Sequence, residues 1–176
     1  MSSLSNIQSA AVSKVLSNFC SSRIALAINA GGAATVKNTG AIIYAIDGVL
    51  HTKAALAAQS IAVTHGFEGK LVAAGPAAYV QPAGTTVLYV LALNAGGDVA
   101  VVQGTYLGQT ITYPADLTKI VTGNGLIPTE PDGYTAVGVI KVATANAATF
   151  TPGTTALDAA DVTATYYNVA VLPITL

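Results

Sequence analysis

The chain has 176 residues, with seven Lys and Arg against eight Asp and Glu and a formal net charge of −1. That length fits one domain, which can bury about 70% of the surface its unfolded chain exposes. The basic residues stand singly, from Lys14 to Lys141, with no basic patch and no interleaved aromatics. Direct nucleic-acid binding is therefore not expected.

Cys20 is the sole cysteine, which excludes an internal disulfide framework. No run reaches the roughly 18 apolar residues of a membrane helix, and the first residues lack the basic and apolar regions of a signal peptide. The expectation is a soluble protein made in the cytoplasm. Charged residues are only 9% of the chain, against about 25% in an ordinary soluble domain. Such a chain would show water a surface of Ala, Thr and Gly, so part of that surface is expected to be covered by partners, as in obligate oligomers.

In chain order, residues 2–20 predict a helix. Ser2 or Ser3 is placed to cap it, and Leu4, Ile7, Ala11, Val15 and Phe19 recur at three- and four-residue steps. Residues 1–22 thus form an expected N-terminal helix or arm, and 23–176 a single β-rich domain. Val12 and Leu16 widen the apolar stripe. It either packs on the chain's own sheet or docks on a neighbouring subunit.

From Arg23 the helical period ends. Ile24, Leu26 and Ile28 alternate with alanines, the 29–32 stretch turns, and Thr35 and Val36 return. Residues 42–46 and 49–52 flank Asp47-Gly48, a favoured two-residue hairpin turn. Residues 53–60 predict a loop or one helical turn, 61–64 a short strand, and the Gly- and Pro-rich stretch 68–84 a loop. The plainest hairpin joins 85–94 to 98–103 through Ala95-Gly96-Gly97. Val87, Tyr89, Leu91 and Leu93 oppose Leu88, Val90 and Ala92, so both faces are apolar and its strands should be central.

Residues 111–113 predict a further strand, 115–121 a short helix or connector, and 122–133 a long loop. Two β-branched runs follow, 134–144 and 162–172, around a turn at Phe150-Thr151-Pro152-Gly153. Seven to ten strands with regular turn signals predict an all-β fold, a β-sandwich or small barrel, behind a short N-terminal α-helix or arm.

Residue chemistry for catalysis is sparse. His51 and His65 are the only imidazoles, and no further His or Cys completes a metal set around His65 and Glu68. Asp158 and Asp161 flank two alanines, a spacing open to Ca²⁺ but better suited to an N-cap or Asx-turn. Most serines precede Arg23 and no Gly-x-Ser-x-Gly occurs, so a serine nucleophile is not indicated. The Gly-rich pieces at 30–32, 95–97 and 123–125 read as hairpin tips, without the Lys-Ser/Thr of a phosphate loop. Cys20 reads as a small buried hydrophobe. The expectation is a non-enzyme with no cofactor and no metal.

The stretch Asp132-Gly133-Tyr134, Val137-Gly138-Val139-Ile140-Lys141-Val142 and then Thr149-Phe150-Thr151-Pro152-Gly153-Thr154-Thr155-Ala156-Leu157 resembles small virion proteins of tailed bacteriophages. It is most similar to those that decorate or cement the head. With the hairpin at 85–104, the likeness covers residues 85–172.

The resemblance implies a sandwich-like body on the outside of a capsid, bridging subunits of the major capsid protein. It implies a homotrimer, with no nucleic-acid or membrane partner, made in the host bacterial cytoplasm and ending on the virion surface. It carries over no catalytic residue. The stripe Leu4, Ile7, Ala11, Val15 and Phe19 is then the expected intersubunit contact. The alternative is a head-fibre, tail or baseplate adhesin domain that binds a host surface glycan or protein, a role suited to Tyr-rich loops.

Overall fold

Strands with two apolar faces must be covered on both sides, and here the longest pair is. The structure, a computed structural model, describes residues 17–65, 79–104, 128 and 130–169. Among them, β7 (Thr86–Asn94) has every residue from Thr86 to Leu93 buried. It lies between β9 (Tyr134–Thr144) and β8 (Val99–Gln103), and β10 (Val162–Asn168) completes the antiparallel order β10-β9-β7-β8.

The β7–β9 register runs from Thr86 opposite Ala143 to Asn94 opposite Tyr134, with a bulge that passes over Val137. A bulge of this kind bends the strand and sharpens its twist. It sits beside Gly138, the position where two chains approach closely. A Cβ on Gly138 would run into Leu26 Cδ1 and stand 2.9 Å from Ile24 Cδ1. Both partners are buried core residues.

Two smaller antiparallel sheets accompany this one. β1 (Phe19–Cys20), β4 (Ile42–Ile46) and β5 (Val49–Lys53) form the order β1-β4-β5, while β2 (Ala27–Ile28), β3 (Thr35–Lys37) and β6 (Gln59–Ser60) form β2-β3-β6. One apolar core joins all three sheets: Cys20, Ile42 and Tyr44 from the first, Val36 from the second, and Tyr89, Leu91, Val137 and Ile140 from the third. A second cluster, Leu88, Val90, Val102 and Val139, lies on the opposite face of the large sheet. The fold is all-β and sandwich-like.

Asp47 and Gly48 have φ of 49° and 77°, and Ile46 pairs with Val49, so the expected two-residue turn is present. Left-handed φ at both central positions is what the strands' twist selects. The 29–32 turn joins β2 to β3, although β2 is shorter than the alternation predicts because Ala25 has a φ of 42°.

Three expectations are corrected. Phe19 and Cys20 are strand, opposite Ala45 and Tyr44, so the predicted helix cannot extend to residue 20 and β1 begins inside the expected arm 1–22. The Cys20 side chain is drawn inward by the core and is 1% exposed. Among the described residues β8 ends its sheet instead of lying at its centre. Its outer edge is met by the 64–65 segment, where Thr64 and His65 donate backbone N–H groups to Val101 O at 2.9 and 3.1 Å. That segment, expected as a strand from 61, makes only the parallel bridge His65–Val102. The predicted elements at 111–113 and 115–121 lie outside the described residues, as does most of the predicted helix.

Gly138→Ala is expected to cost about 1–3 kcal/mol, the usual cost of overpacking a filled core. Urea unfolding monitored by tyrosine fluorescence measures it, and an unchanged midpoint would contradict the close approach.

Candidate interaction surface

Both imidazoles singled out for chemistry have a structural address. His51 lies opposite Tyr44 across the β4–β5 pair, its ring stacked on the phenol at 5.5 Å. His65 is buried beside Tyr134, with centroids 5.7 Å apart, and its Nδ1 is 2.9 Å from Thr64 Oγ1. Burial lowers its pKa, because the charged ring would lose its water. Its expected companion Glu68 lies outside the described residues. Among the described residues no three His, Cys, Asp or Glu converge on a possible metal position.

Asp158 makes a long-range contact rather than the N-cap or Asx-turn bond its spacing suggests. Its two carboxylate oxygens each accept the Gly32 N–H at 3.0 Å, across 126 residues, and Leu157 N donates to Ala33 O at 3.0 Å. The tip at 29–32 is thereby tied to the 157–158 segment. Asp161 holds a left-handed φ of 65° at the entry to β10. Cys20 is buried as expected, though on a strand, and burial pushes its thiol pKa up.

Polar residues inside the body form a lock. Gln81 is fully buried, and its amide donates to Thr85 O at 2.9 Å and to Val142 O at 3.0 Å. Tyr89 donates its hydroxyl to Gln81 Oε1 at 3.1 Å, and Gln103 Nε2 reaches that hydroxyl at 3.4 Å. Burial raises the Tyr89 pKa well above its ordinary value, against a smaller lowering by Gln103. The backbones of Gln81 and Phe150 exchange two hydrogen bonds of 2.8 and 3.0 Å. This network holds the 79–85 and 145–150 segments on the sheet.

What remains for recognition is surface. One feature is a polar cleft of about 200 Å³, walled by Asn18, Glu130, Asp132 and Tyr134. The other is the outward face of the β1-β4-β5 sheet. Partners across a strand pair share a face, so Phe19, Ala45 and Leu50 form one row, and Ile43 with Thr52 the next. Leu50 is 65% exposed and Ile43 44%, large values for aliphatic side chains on a paired strand.

Of the stripe predicted from the sequence, Leu4, Ile7, Ala11 and Val15 lie outside the described residues, and Phe19 sits half-buried in the first row of this face. The exposed pair Ile43 and Leu50 was not singled out from the sequence. The Asp47-Gly48 turn carried the signal: once Ile46 faces Val49, Leu50 and Ile43 must share the face opposite Tyr44.

No protein-family model, curated protein or solved structure matches the chain. Its functional reading therefore rests on these surfaces and on the resemblance described above.

Two outcomes follow. Gln81→Leu removes the amide bonds to Thr85 O and Val142 O and leaves the Tyr89 hydroxyl without its acceptor, while Thr85 O keeps the Thr144 N–H at 2.9 Å. It is expected to cost about 1–3 kcal/mol in urea unfolding, the usual cost of one stranded buried group. For His65, the folded protein resists protonation, so the unfolded chain binds more protons below the ordinary imidazole pKa of about 6.5. Stability is expected to fall as pH drops from 7.5 to 5, and His65→Gln to flatten that fall. Parallel pH dependences in the two proteins would contradict it.

Proposed function

We propose that this protein is a structural component of a phage virion, one that binds the outer surface of the capsid and stabilises it by bridging subunits of the major capsid protein. In this reading it is a homotrimer without enzymatic activity, cofactor or metal, made in the bacterial cytoplasm and ending on the virion.

The observation that carries the reading is the makeup of the exposed surface. Ala54, Ala55, Ala57 and Ala58 are exposed, as are Leu50 and Ile43, in a chain with 9% charged residues. An uncharged surface of small side chains gains little from water and suits close packing on a partner. A protein that binds the assembled shell and not its dissociated subunits stabilises the shell by mass action. The β body supplies rigidity, because its loops are tied to the sheets by the Gln81 network and the Asp158 contact.

A second reading, a fibre, tail or baseplate adhesin domain, draws on the polar cleft. Tyr134 offers a partly exposed ring there, with Asn18, Glu130 and Asp132 around it. Aromatic surface flanked by hydrogen-bonding groups is a general means of holding a sugar.

Co-sedimentation with empty shells of the major capsid protein encoded in the same genome tests the first reading. Binding is expected, with a rise in the shell's thermal transition. Removal of residues 1–16 is expected to weaken binding while the body still folds, the cut falling at 16 because Phe19 and Cys20 belong to the sheet. Absence of shell binding together with a saccharide-dependent thermal shift of the protein would favour the adhesin.

A further inference from the structure

The outward face of β1-β4-β5 has rows of uncharged side chains and two well-exposed aliphatics. Sheet faces of this kind are covered in stable proteins. Phe19, Ile43, Leu50 and Thr52 carry no charge, Ala45 is buried between Phe19 and Leu50, and residues 1–16 contain a single charge, Lys14. On a helix the span from Leu4 to Val15 is about 16 Å, and a five-residue strand such as β4 or β5 is about 17 Å long. The apolar stripe and the apolar face are thus matched in length and character.

Chain direction decides which copy supplies the stripe. β1 runs antiparallel to β4, with Phe19 opposite Ala45, so the backbone upstream of Phe19 heads past Ile46 toward the β4–β5 turn. It is pinned there: Gly48 N donates to Ser17 O at 2.8 Å and Asp47 N to Asn18 Oδ1 at 2.7 Å. Covering its own face would require a reversal just upstream of Ser17. A reversal takes about four residues, and Val15 and Leu16 would be spent in it. Carried onward to another copy, the whole stripe is available.

We propose that the outward face of the β1-β4-β5 sheet, centred on Leu50 and Ile43, is the docking site for residues 1–16 of a second copy of this chain. The proposal rests on the assembly reading above and names the surface that receives the arm. Each copy then both gives an arm and accepts one, so the contact closes into a ring when the rotation between copies allows it.

The test uses the full-length chain. A tagged Ile7→Cys variant and an untagged Leu50→Cys variant are mixed, unfolded and refolded together, and oxidised mildly; Cys20 is buried and serves as the unreactive background. A mixed disulfide between tagged and untagged chains is expected on a non-reducing gel. Leu50→Asp is expected to reduce the solution mass from an oligomer to the 17.5 kDa single chain, with the β circular-dichroism spectrum of the body retained because Leu50 is exposed in the single chain.

A disulfide formed only within the double variant Ile7→Cys/Leu50→Cys, with none in the mixture, would overturn the proposal in favour of a chain that covers itself. An oligomer that survives Leu50→Asp, or a wild-type protein that is a single chain in solution, would overturn it as well. Shell binding is scored separately. A mixed disulfide without shell binding leaves the docking site standing and removes the capsid role, while the reverse result removes the docking site alone.

Discussion

The pairing of β7 with β9 is the constraint from which the rest of the body follows. A strand pair buried on both faces has no water to satisfy its backbone, so its N–H and C=O groups must be used within the sheet. Covering each face then requires further layers. On one side these come from Ile24 and Leu26, the β4 residues Ile42 and Tyr44, and Val36. Gly138 lets Ile24 and Leu26 lie directly on the β9 backbone, where any side chain would hold them off. The small sheets are positioned by that approach, and the surfaces they show to solvent follow from it.

Polar residues reinforce the same arrangement. Tyr44 donates its hydroxyl to Asn94 O at 2.8 Å, which ties the β4–β5 hairpin to the far end of β7. At the opposite end Gln81 ties its own segment to β9 and to Tyr89 of β7, and Thr144 Oγ1 donates to Pro82 O at 2.9 Å beside it. The Gln81 bonds are formed where water is excluded, so leaving one of their partners unmatched is more costly than the net gain from making the bond. They act as specificity devices: only one seating of each loop satisfies them all.

The sequence was legible where one local rule sufficed. Asp47-Gly48, the glycines at 96–97 and the β-branched runs at 134–144 and 162–172, of which 162–168 is strand, declare their hairpins and strands without help from distant parts. Position within a sheet was not legible in this way. β8 is as apolar as β7, yet lies at the end of its sheet, because the 64–65 segment supplies the cover that a neighbouring strand would have given. Phe19 and Cys20 continue a helical period and are nevertheless strand, since pairing with β4 and burial of the Cys20 thiol outweigh local preference. Asp158 has no local sign of its tie to Gly32, which is created by the fold.

The attachment of β1 has a mechanical side. Its bonds to the β4–β5 hairpin include Gly48 to Ser17, Asp47 to Asn18, the two-residue ladder, Ser21 N and Oγ to Ile43 O at 3.0 Å each, and Ile43 N to Ser22 Oγ at 2.7 Å. They are strung along the strand axis. A load applied along that axis through the N-terminal segment pulls on them in shear, so they share the force and fail together. A load applied across the axis opens them one after another. The same short strand is thus a firm anchor for tension in one direction and a quick release in the other.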